Sequence, residues 1–404
     1  MSKFIYKARD KSGQIVEGVL DLPTKRAVLE HLSKNNYFPT QIIQQRSSDL
    51  INRLCIRFKG TRLADTILFS RQLATMLRAG LNPTRSLNVL AHQTHSKPLK
   101  KAVLQIQADI TAGNGLADAL AQHPNIFSEL YVNNVRVGEE GGNLEEVLKR
   151  LASYAQSQKE LKERIKSALI YPITVLIVSM GVIAFLVTFV LPKFATVFER
   201  VHVPLPALTK WLFNTSRFVM AKWPLIVIGI MSFISAAVMF IQTSSGRYIF
   251  DKIKLKLPIF GELVRKVAIL RFARSLEILI RNGVNIVRSF EITSRATGNV
   301  IINEALENVC LALRKGGTIS KPLKDSKEFP LMVTEMIEVG EETGDLEEML
   351  TEIAESFEED VDRSTKNLTT LIEPILLVFL AGIVAVVALS LFLPMFKMIG
   401  VLEG

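Results

Sequence analysis

The chain has 404 residues, of which 49% are hydrophobic and 22% charged, and a formal net charge of +10. That length excludes one small core and calls for two or three domains, and the mixture of apolar and charged residues fits apolar segments set between water-soluble ones. Only two cysteines occur, Cys55 and Cys310, far apart and outside any C-x-x-C pair, which excludes a disulfide framework and a thiolate metal site.

The chain opens without the apolar core of a secretory signal, so its N-terminus is expected in the cytoplasm. Residues 4–8 and 16–20 alternate as strands about the turn Asp10-Lys-Ser-Gly13, residues 24–35 predict a helix and residues 40–45 a third strand. Residues 1–45 thus read as a small α/β cap domain. Residues 46–64 carry Arg46, Arg53, Arg57, Lys59 and Arg62 with little periodicity, as in a basic linker, either near anionic lipid or simply solvated.

Beyond the linker, apolar residues recur every three or four positions, as at Leu144, Val147, Leu148 and Leu151, which predicts several short helices over residues 65–170. Gly80 is expected to end one helix and Gly115 to mark a later turn. Residues 171–191 then run without a charge, as do residues 224–242 and 374–395, each close to the roughly 20 residues that cross about 30 Å of hydrocarbon. Between these spans stand a loop at 192–223, a linker at 243–267 and a second helical domain at 268–373, with a tail at 396–404. Lys159, Lys162, Arg164 and Lys166 before the first span, and Arg247, Lys252, Lys254 and Lys256 after the second, place those sides in the cytoplasm. The C-terminus is then expected on the periplasmic side. The spans explain the basic excess better than a nucleic-acid partner does. None of the three contains Asp, Glu, Lys, Arg or His, so anchoring and helix packing fit them better than an ion pathway.

The two helical domains are copies. Phe69-Ser-Arg-Gln-Leu73 recurs as Phe272-Ala-Arg-Ser-Leu276, and Arg78-Ala-Gly80 as Arg281-Asn-Gly283. The stretch Val137-Gly-Glu-Glu-Gly-Gly-Asn-Leu-Glu-Glu-Val-Leu148 matches Val339-Gly-Glu-Glu-Thr-Gly-Asp-Leu-Glu-Glu-Met-Leu350 at nine of twelve positions. Each copy runs into a span that opens with a proline, Pro172 or Pro374, and one constant offset of 202 residues is expected to relate them.

Capping accounts for part of the repeated motif. Gly142 or Gly344 supplies a left-handed helix stop, Asn143 or Asp345 the next N-cap, and Glu146 or Glu348, three residues on, a capping box. Leu144 and Leu346 open the next apolar stripe, while Glu145 and Glu347 suit the positive end of the helix dipole. Gly138, Glu139 and Glu140, with Gly340, Glu341 and Glu342, are left over. They read either as a docking or hinge feature or as solvated carboxylates.

Two such motifs at matched spacing, each followed by Tyr-Pro or Glu-Pro, a leading Phe-x-Arg-x-Leu and the loop Val203-Pro-Leu-Pro-Ala-Leu-Thr209, resemble the general secretion pathway protein F family, which includes the type IV pilus platform protein. The resemblance implies a mainly all-α polytopic membrane protein of the inner membrane, with two homologous cytoplasmic helical-bundle domains, three transmembrane helices and the small α/β cap. It implies a non-enzymatic scaffold that couples a cytoplasmic secretion or pilus assembly ATPase to the extrusion of pilin or pseudopilin subunits. Other inner-membrane apparatus proteins, membrane lipid and further copies of the chain are the remaining partners it implies. No cofactor is expected. Some members hold a divalent cation shortly after the first motif, but Lys149 and Ser153 stand there. His92 and His95 have i, i+3 spacing without a third ligand, and no phosphate-binding loop, nucleophile elbow or zinc-protease helix occurs. A transporter or permease component with parallel repeats is the alternative reading.

From Glu328 to Asp362 the second copy has no Lys or Arg. Such a run of like charge is either a solvated face or one held for a basic partner. Glu355, Glu358 and Glu359 are the expected docking residues, with the assembly ATPase or the first domain of a neighbouring copy as the basic surface.

Overall fold

The structure, a computed structural model, describes residues 2–9, 15–22, 28–29, 38–44, 63–194, 196, 206–258 and 260–402. The chain divides into two units, residues 1–61 and 62–404.

In the first unit β1 (Ser2–Arg9) lies between β2 (Ile15–Leu22) and β3 (Phe38–Gln44), antiparallel to both. Phe4 pairs with Leu20 on one side and with Gln44 on the other. The register shifts between Lys7 and Ala8, where Ala8 meets Pro39. Proline has no N–H to give a ladder, so it is tolerated at an edge strand beside such an irregularity. Of the helix expected at 24–35 only Val28 and Leu29 are described, both helical. The turn at 10–13 and the linker through residue 62 lie outside the described residues.

The second unit is helical. The first copy comprises α1 (Leu63–Arg78), α2 (Pro83–Gln93), α3 (Lys97–Thr111), α4 (Leu116–Ala121), α5 (Glu129–Glu140) and α6 (Leu144–Phe185). A π-helical turn, Leu186–Val190, extends α6, and α7 (Ala207–Gln242) and α8 (Ser244–Lys256) follow. The second copy repeats the first as α9 (Phe260–Arg281), α10 (Ile286–Ala296), α11 (Val300–Arg314), α12 (Ser320–Ser326), α13 (Leu331–Thr343) and α14 (Leu346–Leu402). Asn82 caps α2 by accepting from the Arg85 N–H, and Asn285 caps α10 by accepting from the Val287 N–H. Gly80 and Gly283 end their helices as expected. Gly115 marks the turn between α3 and α4, capping α4 in extended backbone, and Gly113 takes the positive φ of that turn.

The offset between the copies is not constant. Phe69 and Phe272 stand 203 residues apart and Gly138 and Gly340 202, because Leu323 and Phe329 are one residue closer in sequence than their counterparts Leu120 and Phe127. A surface connection absorbs such a loss without disturbing the packed helices.

Each copy has its own core, and the leading Phe of each Phe-x-Arg-x-Leu motif sits in it. Phe69 packs on Phe127 at 5.6 Å between ring centroids, and Phe272 on Phe329 at 5.4 Å. Burying one such ring stabilises by roughly 1.5–3 kcal/mol.

The spans do not restart at their prolines. Pro172, Pro224 and Pro374 lie inside α6, α7 and α14, so the last helix of each domain continues into its span. Among the described residues, the helices long and apolar enough to cross are Leu144–Phe194, Thr209–Gln242 and Leu346–Leu393. The expected loop at 192–223 is helical from Ala207, the linker at 243–267 is largely α8 and α9, and the tail at 396–404 is helical to Leu402. A helix already propagating gains one hydrogen bond for each residue added, so ending it at the membrane edge would only expose backbone groups.

The α6 and α14 helices run side by side in the same direction. Arg164 donates to Asp362 at 2.7 Å and, further along both helices, Tyr171 Oη to Glu373 at 3.3 Å. The α7 helix returns between their far ends. There Thr209 donates to the Ser390 carbonyl at 2.9 Å, Ser216 to the Val187 carbonyl in the π turn, and Leu212 and Phe213 pack on Leu191 and Val387. Where the turn widens, Ser216 satisfies a carbonyl of the π turn.

Candidate functional site

The first half of the doubled motif has the same geometry in both copies. Gly138 is buried where α5 meets α6, and a Cβ there would stand 2.9 Å from Val147 Cγ2. Gly340 repeats this, with Leu346 Cα and Met349 Cγ at 3.0 Å. Helices that approach this closely have no room for a side chain.

The next residue closes a longer loop. Glu139 accepts from the Leu116 and Ala117 N–H groups at 2.6 and 3.0 Å, and Glu341 from those of Ile319 and Ser320 at 2.7 and 3.3 Å. Each carboxylate thus caps the short helix that precedes its own, α4 or α12, where free N–H groups and the positive end of the dipole favour an anion. Glu140 and Glu342 are exposed. Sequence reasoning left Glu139 and Glu341 without a task. The legible signal was the glycine turn at Gly113 to Gly115, and its counterpart at Gly316 and Gly317, ahead of a helix with no side-chain cap of its own.

Gly142 and Gly344 have φ of +69° and +78°, the left-handed stop. The capping box that should follow does not form. Asn143 makes no side-chain cap bond, and Glu146 turns to Arg150 at 2.6 Å. Asp345 accepts weakly from the Glu348 N–H at 3.4 Å. The Asp345 carboxylate also pushes the Glu348 carboxyl above its ordinary range, the opposite of what a capping anion needs. Glu145 and Glu347 bind Arg78 and Arg281, both at 2.6 Å, and so tie the motif to the arginine-glycine turn of their own copy. Leu144 and Leu346 are half-buried against the two cores.

The copies meet along a seam of α5 and α6 against α9 and α10. At its centre Asn282 Nδ2 donates to Asn134 Oδ1 at 2.7 Å, both side chains buried, and Arg150 donates to Asn282 Oδ1 at 2.8 Å. Glu129 accepts from Arg288 at 2.7 Å and from Arg295 at 3.0 Å. Tyr154 and Ser275 share a hydrogen bond at 2.8 Å, and burial pushes the Tyr154 phenol up. Ile278, Leu279, Val284 and Ile292 of the second copy complete the core of the first. A cleft of about 290 Å³ opens beside Arg150, Tyr154, Arg274 and Arg281.

The acidic run is divided. Glu358 meets Arg274 at 3.2 Å and Arg164 at 3.9 Å, Asp360 meets Lys266 at 3.4 Å and Asp362 meets Arg164 at 2.7 Å. Of the three expected docking residues, Glu358 is thus taken up inside the chain, while Glu355 and Glu359 are exposed. Lys149 and Ser153 line a cleft with Arg71 and Arg78, whose charge does not fit a divalent cation. His92 is exposed and bonds the Asn88 carbonyl at 2.8 Å, and His95 is exposed.

Comparison with known proteins accounts for this arrangement. The family described as type II secretion system (T2SS), protein F, matches residues 69–192 and again 272–394, and its N-terminal domain matches residues 1–43. The chain belongs to this family. It is 37% identical over 406 residues to the type IV pilus assembly protein PilC of Thermus thermophilus, covering 100% of both chains. It is 35% identical to the protein of that name from Myxococcus xanthus, covering 100% of this chain and 96% of that one. It is 28% identical to the type II secretion system protein F of Vibrio cholerae, covering 98% of each. The first matched copy ends just past the π turn that extends α6 and the second within α14, so helical domain and span form one repeating module.

Proposed function

We propose that the chain is a non-enzymatic inner-membrane platform of a type IV pilus or type II secretion machine, coupling an assembly ATPase to the extrusion of pilin or pseudopilin subunits. The observation that carries this reading is mechanical. Each family copy is continuous with a membrane helix, and the two helices lie parallel and pinned at Arg164–Asp362 and Tyr171–Glu373. A push on either domain therefore reaches the membrane through an unbroken helix.

In this reading both domains, residues 65–170 and 268–373, face the cytoplasm and the C-terminus the periplasm, in line with the basic flanks of the first two spans. The N-terminal sheet, together with the helical Val28 and Leu29, is read as the α/β cap. The partners are the assembly ATPase, other inner-membrane apparatus proteins, the extruded subunits, lipid and further copies of the chain. A permease reading would need polar groups at membrane depth. The cavity of about 540 Å³ among the spans is instead lined by residues such as Ile183, Leu212, Phe379 and Val387.

The test is made in the native host. Deleting the gene is expected to abolish surface pili or secretion, and the purified chain in lipid nanodiscs to capture the host's assembly ATPase. Normal assembly in the deletion strain would overturn the reading, as would ATP hydrolysis by the chain alone.

A further inference from the structure

The seam joins two different faces. The first copy contributes α5 and the start of α6, and the second contributes α9 and α10. Because the copies are homologous, each face has a counterpart that the seam leaves over: α13 and the start of α14 on the second copy, α1 and α2 on the first.

Exposure shows that both counterparts are open. Ile278, Leu279, Val284 and Ile292 are buried in the seam. The residues in their places on the first copy, Thr75, Met76, Leu81 and Val89, are exposed or half-buried. On the other side Leu331, Met332 and Val339 occupy the places of Glu129, Leu130 and Val137, and are 59%, 46% and 48% exposed. Three large apolar side chains together on the outside of a domain mark a surface meant to be covered.

Charge indicates what covers it. Within the seam, Arg150 shares its cleft with Arg274, Glu277 and Arg281. In the leftover faces Glu352 replaces Arg150, and Arg71, Ala74 and Arg78 replace the other three. A cation lying between arginines becomes an anion facing Arg71 and Arg78, with Ala74 in place of the Glu277 carboxylate and Arg78 also held by Glu145 of its own copy. Asn133, which accepts from Arg288 at 3.4 Å, becomes Glu335 facing Arg85. Glu355 and Glu359 extend the acidic side at the places of Ser153 and Ser157. The leftover faces are thus opposite in sign at Glu335 with Arg85 and at Glu352 with Arg71, while Leu331 gives up the pairing that Glu129 makes with Arg288 and Arg295 in the seam.

We propose that the α13–α14 face of one chain docks on the α1–α2 face of a second copy of this chain, repeating between chains the contact that joins the two copies within one. The inference rests on the homo-oligomeric part of the function proposed above and names its surface. The contact is heterologous, so repeated use gives a ring or an open filament according to the rotation per step. Because the two modules enter the membrane side by side and in the same direction, the operation that carries one onto the other keeps the membrane plane. A neighbouring chain placed by it lies in the same bilayer.

The test uses the full chain in native membranes, with Cys55→Ala and Cys310→Ala removing the natural thiols. One tagged copy carries Glu335→Cys and a differently tagged copy carries Arg85→Cys. Mild oxidation is expected to cross-link the two tags, and copies that all carry Glu335→Cys are expected not to cross-link with one another. In the second arm Glu335→Arg with Glu352→Arg should weaken self-association roughly tenfold, and Arg71→Glu with Arg85→Glu on the neighbouring copy should restore it. An oligomer that persists without the mixed cross-link, or an association that the charge exchange does not restore, overturns this surface and leaves the homo-oligomer standing. Cross-linking of Glu335→Cys to a different protein alone also overturns it. A chain that is monomeric in native membranes overturns both.

Discussion

Glu139 and Glu341 sit one position after a glycine that cannot carry a side chain and three before a glycine that must be left-handed. Between these fixed points the carboxylate can reach only the helix end behind it. Replacing Glu139 with Ala should cost about 1 kcal/mol in the capped helix, the usual worth of a side-chain cap. Amide exchange at Leu116 and Ala117 is then expected to speed up about fivefold, while Glu140→Ala leaves those amides unchanged. Equal exchange in the two variants would remove the capping role. Gly142→Val and Gly344→Val should each lower stability by about 1 kcal/mol or more, because a β-branched residue does not take positive φ. A lower melting temperature of the full chain in detergent checks this. The left-handed stop was legible in sequence because glycine followed by a helix-capping residue has few other readings. The Glu139 contact was not, since its partner lies 23 residues upstream and is backbone, which carries no residue code. The capping box failed for a related reason. Arg150, four residues on, offered Glu146 a charged partner, and a charge-assisted bond outcompetes one to a neutral N–H.

Elements are joined by charge where sequence periodicity is silent. Glu291 on α10 accepts from Arg288 of its own helix at 3.0 Å and from Arg314 on α11. Those guanidinium groups, Arg314 first, hold its carboxyl below the ordinary value of 4.5. A lowered carboxyl pKa gives stability that is fully present above the unfolded value and is lost as pH falls through the folded one. The α10–α11 clasp should therefore hold from neutral pH down to about 4.5 and loosen below it. Glu291→Gln is expected to be less stable than the natural chain at pH 7, with the gap closing towards pH 3. Thermal unfolding followed at both pH values checks this, and a gap that widens with acid would contradict it. The helical domains and the three spans were legible from apolar period and run length. The join between them was not, because a proline that ends a helix in water is carried inside one when neighbouring packing satisfies the freed carbonyl.

At the scale of the whole molecule the repeat dictates direction. Two modules that enter the membrane in parallel require an odd number of crossings between the end of the first span and the second helical domain, and α7 supplies that return. The hydrogen bond from Thr209 to Ser390 places the start of α7 beside the end of the third span. The far ends of all three spans therefore share one side. A small thiol-reactive reagent that does not cross the membrane reports which side that is. With the natural cysteines replaced, Gln122→Cys on the exposed end of α4 should react only after the membrane is opened. Glu403→Cys, just past α14, should react in intact spheroplasts. Arg247→Cys, beyond the second span, should behave like Gln122→Cys, because it lies on the return side of α7. Labelling of Glu403→Cys only after opening, with Gln122→Cys labelled before, would invert the orientation while keeping the parallel modules. Labelling of Gln122→Cys and Glu403→Cys under the same condition would break the parallel arrangement itself, and with it the continuous path from each domain into the bilayer.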